Sequence, residues 1–400
     1  LTAFSEKLFA AMPRSVVALG FVSLFMDMSS EMVHSVLPVF MTGTLGLSAL
    51  AVGMIEGIAE ATAAIVKIFS GALSDKTGRR KPLLLLGYGL STLTKPLFPI
   101  AGTAGAVLFA RFADRIGKGI RVAPRDALVA DVTPASLRGA AYGLRQTMDT
   151  IGAFIGPGLA IVLMLATANN FRLVFWAAVV PALAVVLVIA VFIEEPARPA
   201  PPAKRSPLRR HELKLLTASF WAVTGLGAVL TLARFSDAFL ILRGDSVGLS
   251  AAYAPAILIV MNIVYALSAW PAGALSDRIG KNGLFGVGLG VLVVADIILA
   301  STSGAVGVFA GVALWGLHMG LTQGIITAFV ADRAPAHLRG TAFGVFNLAS
   351  GVALLLASAI AGGLWKFFGP AATFVTGAAF AALSLAGFLY LKNHFAKEAA

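Results

Sequence analysis

Apolar residues run along the chain in twelve long stretches, near 16–41, 50–74, 82–101, 104–130, 138–166, 171–193, 214–242, 251–274, 283–302, 304–331, 340–363 and 370–391. Each is about 20 residues or longer, and at roughly 1.5 Å rise per residue each suffices to cross about 30 Å of hydrocarbon as a helix. The breaks between them hold Gly, Pro, Asn, Ser or clustered charge. The pattern predicts an all-α membrane protein with twelve transmembrane helices. The first stretch follows an amphipathic start (Phe4, Leu8, Phe9) and carries three ionisable residues, so it is too long and too polar for a cleaved signal peptide.

The second half of the chain repeats the first. Gly71-Ala-Leu-Ser-Asp-Lys-Thr-Gly-Arg-Arg-Lys81 returns two hundred and two residues later as Gly273-Ala-Leu-Ser-Asp-Arg-Ile-Gly-Lys281. Asp131-x-x-Pro134-x-x-x-Arg138-Gly139-x-x-x-Gly143 returns as Asp332-x-x-Pro335-x-x-x-Arg339-Gly340-x-x-x-Gly344, at an offset of two hundred and one. Two independent motifs in nearly one register mark an internal duplication. The segment 194–213 is proline-rich and basic, which reads as a solvated linker. The expected organisation is an N-terminal six-helix bundle over 1–193, a linker over 194–213 and a C-terminal six-helix bundle over 214–400. With six helices in each half, both halves have the same orientation.

Composition agrees with that class. Hydrophobic residues are 58%, charged residues 12% and the mean hydropathy is +0.89, against about a quarter charged residues in a soluble domain. Cysteine is absent, so disulfides and thiolate metal sites are excluded. The net charge of +12 does not point to nucleic acid, because the basic residues lie in short clusters between apolar runs. The even-numbered connections carry Lys76, Arg79, Arg80 and Lys81, then Arg138, then a cluster from Arg198 to Lys214, then Arg278 and Lys281, then Arg333 and Arg339. Connections one, three and nine have no Lys or Arg, and the fifth, seventh and eleventh have one each (Arg172, Arg243, Lys366). The positive-inside rule puts both termini and both copies of the loop in the cytoplasm; in a bacterium the membrane is the inner one.

Gly71-x-x-x-Asp75-Lys76-x-Gly78-Arg79-Arg80, between the second and third of twelve helices, resembles the signature loop of the major facilitator superfamily. The weaker copy between helices eight and nine, with Asp277, Arg278 and Gly280-Lys281, matches it as well. The resemblance covers the whole chain. It implies two six-helix bundles related by pseudo-two-fold symmetry, rocking about a central cavity with alternating access to a small-molecule site near the midplane. It also implies a cytoplasmic latch built from Gly71, Asp75, Gly78, Arg79, Arg80, Asp131, Arg138, Asp277, Arg278, Asp332 and Arg339. Within that latch Asp75 meets the start of the eleventh helix near Gly340, and Arg79 pairs with Asp131. The residues have a physical reading of their own: Gly71 allows close helix contact, Gly78 a tight turn, and the basic residues hold the loop at the surface. Topology alone would need no aspartate at one fixed place in both halves, which favours a latch. In the fifth helix Gly152-Ala-Phe-Ile-Gly156-Pro157-Gly158 resembles the Gly-x-x-x-Gly-Pro motif associated with antiporters, departing from it at Ala160 and Ile161. Gly152 and Gly156 let backbones approach, and Pro157 removes a helical hydrogen bond and bends the helix; an ordinary small-residue packing seam is the alternative.

Ionisable residues at membrane depth are costly and mark candidate sites. Asp27, Glu31 and His34 share one face of the first helix, and Glu56, Glu60 and Lys67 one face of the second. The fourth helix carries Arg111, Asp114, Arg115, Lys118 and Arg121, and the fifth Arg145, Gln146 and Asp149. The second half is barer, with Arg234, Asp237, Asn262, Tyr265, Asp296, His318, Gln323 and Asn347. Asp27, Glu31, Glu56, Glu60 and Asp149 are the candidates for proton coupling, since desolvation makes protonation of a mid-helix carboxyl possible. His34, Arg111, Arg115, Lys118, Arg145, Gln146, Arg234, Asp237, Asn262, Tyr265, His318, Gln323 and Asn347 are the candidates for substrate contact. The competing reading is internal ion pairing, as between Arg145 and Asp149, Glu60 and Lys67, or Arg234 and Asp237. A lone His318 fits a packed, hydrogen-bonded residue, and a divalent metal on Asp27, Glu31 and His34 is a minor option.

Neither Gly-x-Ser-x-Gly nor His-Glu-x-x-His occurs, and Gly117-Lys118-Gly119 lacks the rest of a phosphate loop. A secondary transporter is therefore expected ahead of a membrane-embedded enzyme or a channel. It calls for no cofactor, draws on an ion gradient, preferably protons, and acts as a monomer in the lipid bilayer. The antiporter-like motif favours export of a drug or metabolite. The basic fourth helix suits instead an organic anion or siderophore imported by symport.

Overall fold

A computed structural model describes residues 12–77, 79–134, 137–195, 213, 215–335 and 338–398. Among them there is no strand, and the helices are α1 (Arg14–His34), α2 (Ala49–Thr77), α3 (Lys81–Thr94 and Leu97–Ile100), α4 (Ala104–Val132), α5 (Arg138–Ala166), α6 (Phe171–Phe192), α7 (Ala218–Ala233 and Ala238–Ser246), α8 (Pro255–Ile279), α9 (Lys281–Ser301), α10 (Ala305–Arg333), α11 (Arg339–Phe368) and α12 (Pro370–Glu398). Local chemistry sets several ends. Thr103, Asn170 and Thr217 cap α4, α6 and α7 by accepting the N–H of Ala106, Leu173 and Phe220. Gly280 and Gly369 adopt φ of +86° at the starts of α9 and α12, a conformation open to glycine at no steric cost.

Three stretches expected as single helices are broken, which corrects the boundaries drawn from the apolar runs. The first ends at His34 and resumes as one short turn, Leu37–Val39, and a π-helical turn, Phe40–Thr44. The third breaks at Lys95-Pro96, where proline supplies no N–H to the ladder. The seventh breaks between Ala233 and Ala238. There hydroxyls replace the ladder, with Ser358 Oγ accepting from Ser236 N–H and Ser236 Oγ from Ala238 N–H, each at 3.3 Å. Eleven of the described helices are long and apolar enough to cross a membrane. The exception is α4, whose charged residues recur every three or four positions along its length.

The chain divides into two compact units, Leu1–His34 with Thr62–Ser206, and Ser35–Ala61 with Pro207–Ala400. In the first, α1 packs on α5 and α6, and α3 on α4 and α6. Its core gathers Leu19, Val22, Met26, Tyr88, Leu128 and Val185. In the second, α9 and α10 pack on each other, α8 joins α10, and α12 lies against α9 and α7. The segment Ser35–Ala61 belongs to this second unit by its contacts. A Cβ at Gly57 would lie 3.1 Å from Leu355, one at Gly362 would lie 2.7 Å from the Ala49 carbonyl, and Gly53 presses on the Ser358 carbonyl.

Candidate functional site

The first unit concentrates charge. Along α4, Arg111, Asp114, Arg115, Arg121 and Arg125 are all buried, and Lys118 is half-buried. Close approach of α3 makes this possible: a Cβ at Gly87 would stand 2.8 Å from both Arg121 Cβ and the Gly117 carbonyl. At the break in α3, Lys95 Nζ donates to Asp114 Oδ1 at 3.2 Å and to Ser30 Oγ at 3.2 Å, with the Lys95 and Asp114 side chains 1% and 2% exposed. Arg121 donates to Ser91 Oγ and sits 4.8 Å over the Tyr88 ring.

The seam between α1 and α5 places the acids. Gly152 presses on the Leu24 carbonyl, and a Cβ at Gly156 would lie 2.5 Å from the Met28 carbonyl and 3.1 Å from Glu31 Cβ. Asp27 and Glu31 are thereby held on the face of α1 next to α5. Asp149 on α5 is shared by two bases, Arg145 at hydrogen-bond contact and Arg125 at 3.7 Å. Arg125 also meets Asp126 at 3.1 Å and Ser23 Oγ at 3.2 Å, and Arg145 meets Asp126 at 3.8 Å and Gln146 at 3.0 Å. Asp27 lies in the field of Asp149, Arg125, Lys118 and Glu31. Glu31 has His34 at 3.6 Å. The expected Arg145–Asp149 pair is present, as part of a larger lattice of ion pairs.

In the second unit the candidates are dispersed. Arg234, at the break in α7, donates to Gln323 Oε1 at 3.3 Å and feels Asp237 and Tyr265. His318 is fully buried, with Nδ1 2.8 Å from the Gly288 carbonyl and Nε2 without a hydrogen-bond partner among the described residues. Asn262 and Asn347 are half-buried. Glu56 is fully buried and Glu60 half-buried, on the part of α2 that belongs to this unit. Among the described residues no three His or acidic groups lie close enough to hold a metal ion.

At the loops, Asp131 pairs with Arg80 at 3.4 Å, where Arg79 had been expected; Arg79 is exposed. Arg80 also donates to Ser74 Oγ, and its backbone N–H donates to Glu195. In the second copy Lys281 pairs with Asp332 at 3.1 Å on the surface. Gly71 faces Ala123, Arg138 is exposed, and Gly78 lies outside the described residues, as do the side chains of Asp75, Asp277, Arg278 and Arg339. The sequence reading missed Lys95, Arg125 and Asp126. Arg125 could have been found, since it extends the α4 stripe of Arg111, Arg115, Lys118 and Arg121 by one more turn.

The family model described as Major Facilitator Superfamily matches residues 19–358. The chain belongs to the major facilitator superfamily. Among its relatives in this superfamily is an MFS-type transporter of Methanocaldococcus jannaschii, 33% identical over 379 residues covering 93% of each chain. The quinolone resistance protein NorA of Staphylococcus aureus is 24% identical over 221 residues, 55% of each chain. The superfamily fold extends over nearly all of the protein. A POT family transporter solved with 5-aminolevulinic acid aligns with a TM-score of 0.81 at 13% identity, covering 95% of this chain and 96% of that one. The nucleoside transporter NupG aligns at 0.77 and 14%, covering 94% and 99%. The protein is thus a multi-pass membrane transporter of this superfamily.

Proposed function

We propose that the protein is a proton-coupled exporter of small organic solutes. It acts as a monomer in the bacterial inner membrane, with both termini cytoplasmic, and its two six-helix bundles, 1–193 and 214–400, give alternating access to one site. The observation that carries this is the state of Asp27. Its neighbours Asp149, Arg125 and Arg145 are locked into one another, whereas Asp27 makes no direct ion pair among the described residues and is positioned by the Gly152–Gly156 seam. It is the acid in the lattice most able to exchange a proton, with Glu31 beside His34 as the second. Partial likeness to the quinolone resistance protein supports the outward direction. Arg115, Lys118, Arg145, Arg234 and Gln323 are the proposed substrate contacts, and the Arg80–Asp131 and Lys281–Asp332 pairs serve the latch.

The test is flux in proteoliposomes, with a panel that includes a quinolone and a nucleoside, under opposed pH gradients. Asp27→Asn should abolish proton-driven accumulation while leaving downhill exchange. Undiminished proton-driven export in that variant removes the proposal. One feature supports a second reading: on α4 Arg111, Arg115, Lys118, Arg121 and Arg125 outnumber Asp114, Asp126 and Asp131. That excess suits an organic anion carried inward by symport, which uptake driven by an inward proton gradient would show.

A further inference from the structure

The duplication fixes where each residue of one copy falls in the other. Gly87 packs on Arg121 and Gly117. At an offset of two hundred and one, Gly288 packs on Thr322, and its carbonyl is bound by His318. In this register Lys95 corresponds to Asp296 on α9, and its partner Asp114 corresponds to Trp315 on α10. The second copy therefore puts an acid where the first has a base, and an indole where the first has the answering acid.

Asp296 is fully buried, and neither carboxyl oxygen has a hydrogen-bond partner among the described residues. A Cβ at Gly377 of α12 would stand 2.7 Å from Asp296 Oδ2 and 3.0 Å from the Phe235 ring. Absence of a side chain there lets the carboxyl reach an aromatic cluster in which Phe235 lies 5.4 Å from Trp315 and 5.5 Å from Phe374. A small cavity lined by Leu232, Phe235, Thr373, Thr376, Gly377 and Phe380 shares Phe235 and Gly377 with this cluster. From α10, His318 sits about two turns away with Nδ1 engaged by Gly288, and Asp332 and Arg333 are at the helix end. From α12 the described titratable group is Tyr390, and from α8 Tyr265. At the α7 break, Arg234 is turned to Gln323 with Asp237 near it. Arg243, from the second part of α7, donates to the Leu299 and Thr302 carbonyls at the end of α9.

An ionised carboxylate buried in such surroundings with no hydrogen-bond donor is strongly disfavoured. A metal cation would need a shell of oxygen ligands, and the neighbours are aromatic rings and a glycine. We propose that Asp296 is a proton-binding site of the second unit, held as the neutral acid in this packing. The assignment does not depend on Asp27 carrying the coupling proton.

Infrared spectroscopy of the purified full chain at neutral pH tests it. The wild type should show the carbonyl band of a neutral carboxylic acid in an apolar setting, and Asp296→Asn should lose that band. Superimposable wild-type and Asp296→Asn spectra in the region overturn the proposal. If Asp296→Asn cannot be purified, Gly377→Ala replaces it, since the added methyl presses on Oδ2 and must shift the band. An unmoved band in Gly377→Ala overturns the proposal equally.

Discussion

Lys95 and Asp296 occupy one position in two copies of the same architecture, and they have opposite surroundings. Lys95 is answered by Asp114 and Ser30; Asp296 is answered by nothing among the described residues. The glycine contacts around them keep their register in both copies, so backbone geometry survives where the electrostatics has been exchanged. The duplication transmits packing, and charge is assigned separately in each unit. At this position the first unit braces charge against charge, and the second leaves its acid without a hydrogen-bond partner.

If that contrast holds, the largest effect should come from breaking the brace. Asp114→Asn strands the Lys95 ammonium and should cost about 3–5 kcal/mol, read as a fall in unfolding midpoint in detergent; Lys95→Met with Asp114→Leu should recover most of it. Arg80→Met, which removes a buried guanidinium from Asp131 and Ser74, should cost about 1.5–3 kcal/mol. Its counterpart Lys281→Met acts on an exposed pair and should cost less than about 1 kcal/mol; equal losses would erase the contrast at the loops. Gly152→Ala installs the residue that the second copy carries as Ala353. It drives a Cβ into the Leu24 carbonyl, for a loss of about 1–3 kcal/mol and slowed transport, whereas Gly158→Ala, with open space around it, should leave both unchanged. Asp296→Asn should likewise cost less than about 1 kcal/mol of stability, because it replaces one neutral polar group by another. A loss as large as that of Asp114→Asn would show that Asp296 is an ion with a partner.

The membrane fold was legible because hydrocarbon imposes length and apolarity on every span, and because the loop motif and the Asp–Pro–Arg–Gly motif repeat in register. Helix breaks were not, since Lys95-Pro96 and Arg234–Asp237 are short polar interruptions with long apolar runs on both sides. Lys95 escaped notice for the same reason: one base in an apolar run carries no periodicity, and only the break in α3 delivers it to Asp114. The choice of Arg80 over Arg79 for Asp131 depends on which side chain turns inward beside Ser74 at the start of α3, and adjacent arginines do not announce that. In the second unit the sequence offered polar residues but no spacing that would link Arg234 to Gln323 across eighty-nine positions.

The assignment of Ser35–Ala61 to the same compact unit as Pro207–Ala400 makes the polypeptide cross between units three times, at 34–35, 61–62 and 206–207. A nick in the 194–213 tether would sever one strand of that stitching and leave two intact. Fragments produced by such a cut should co-purify, and a split gene should complement. A gene for 207–400 alone would lack the start of α2 that packs on Gly362 and Ser358.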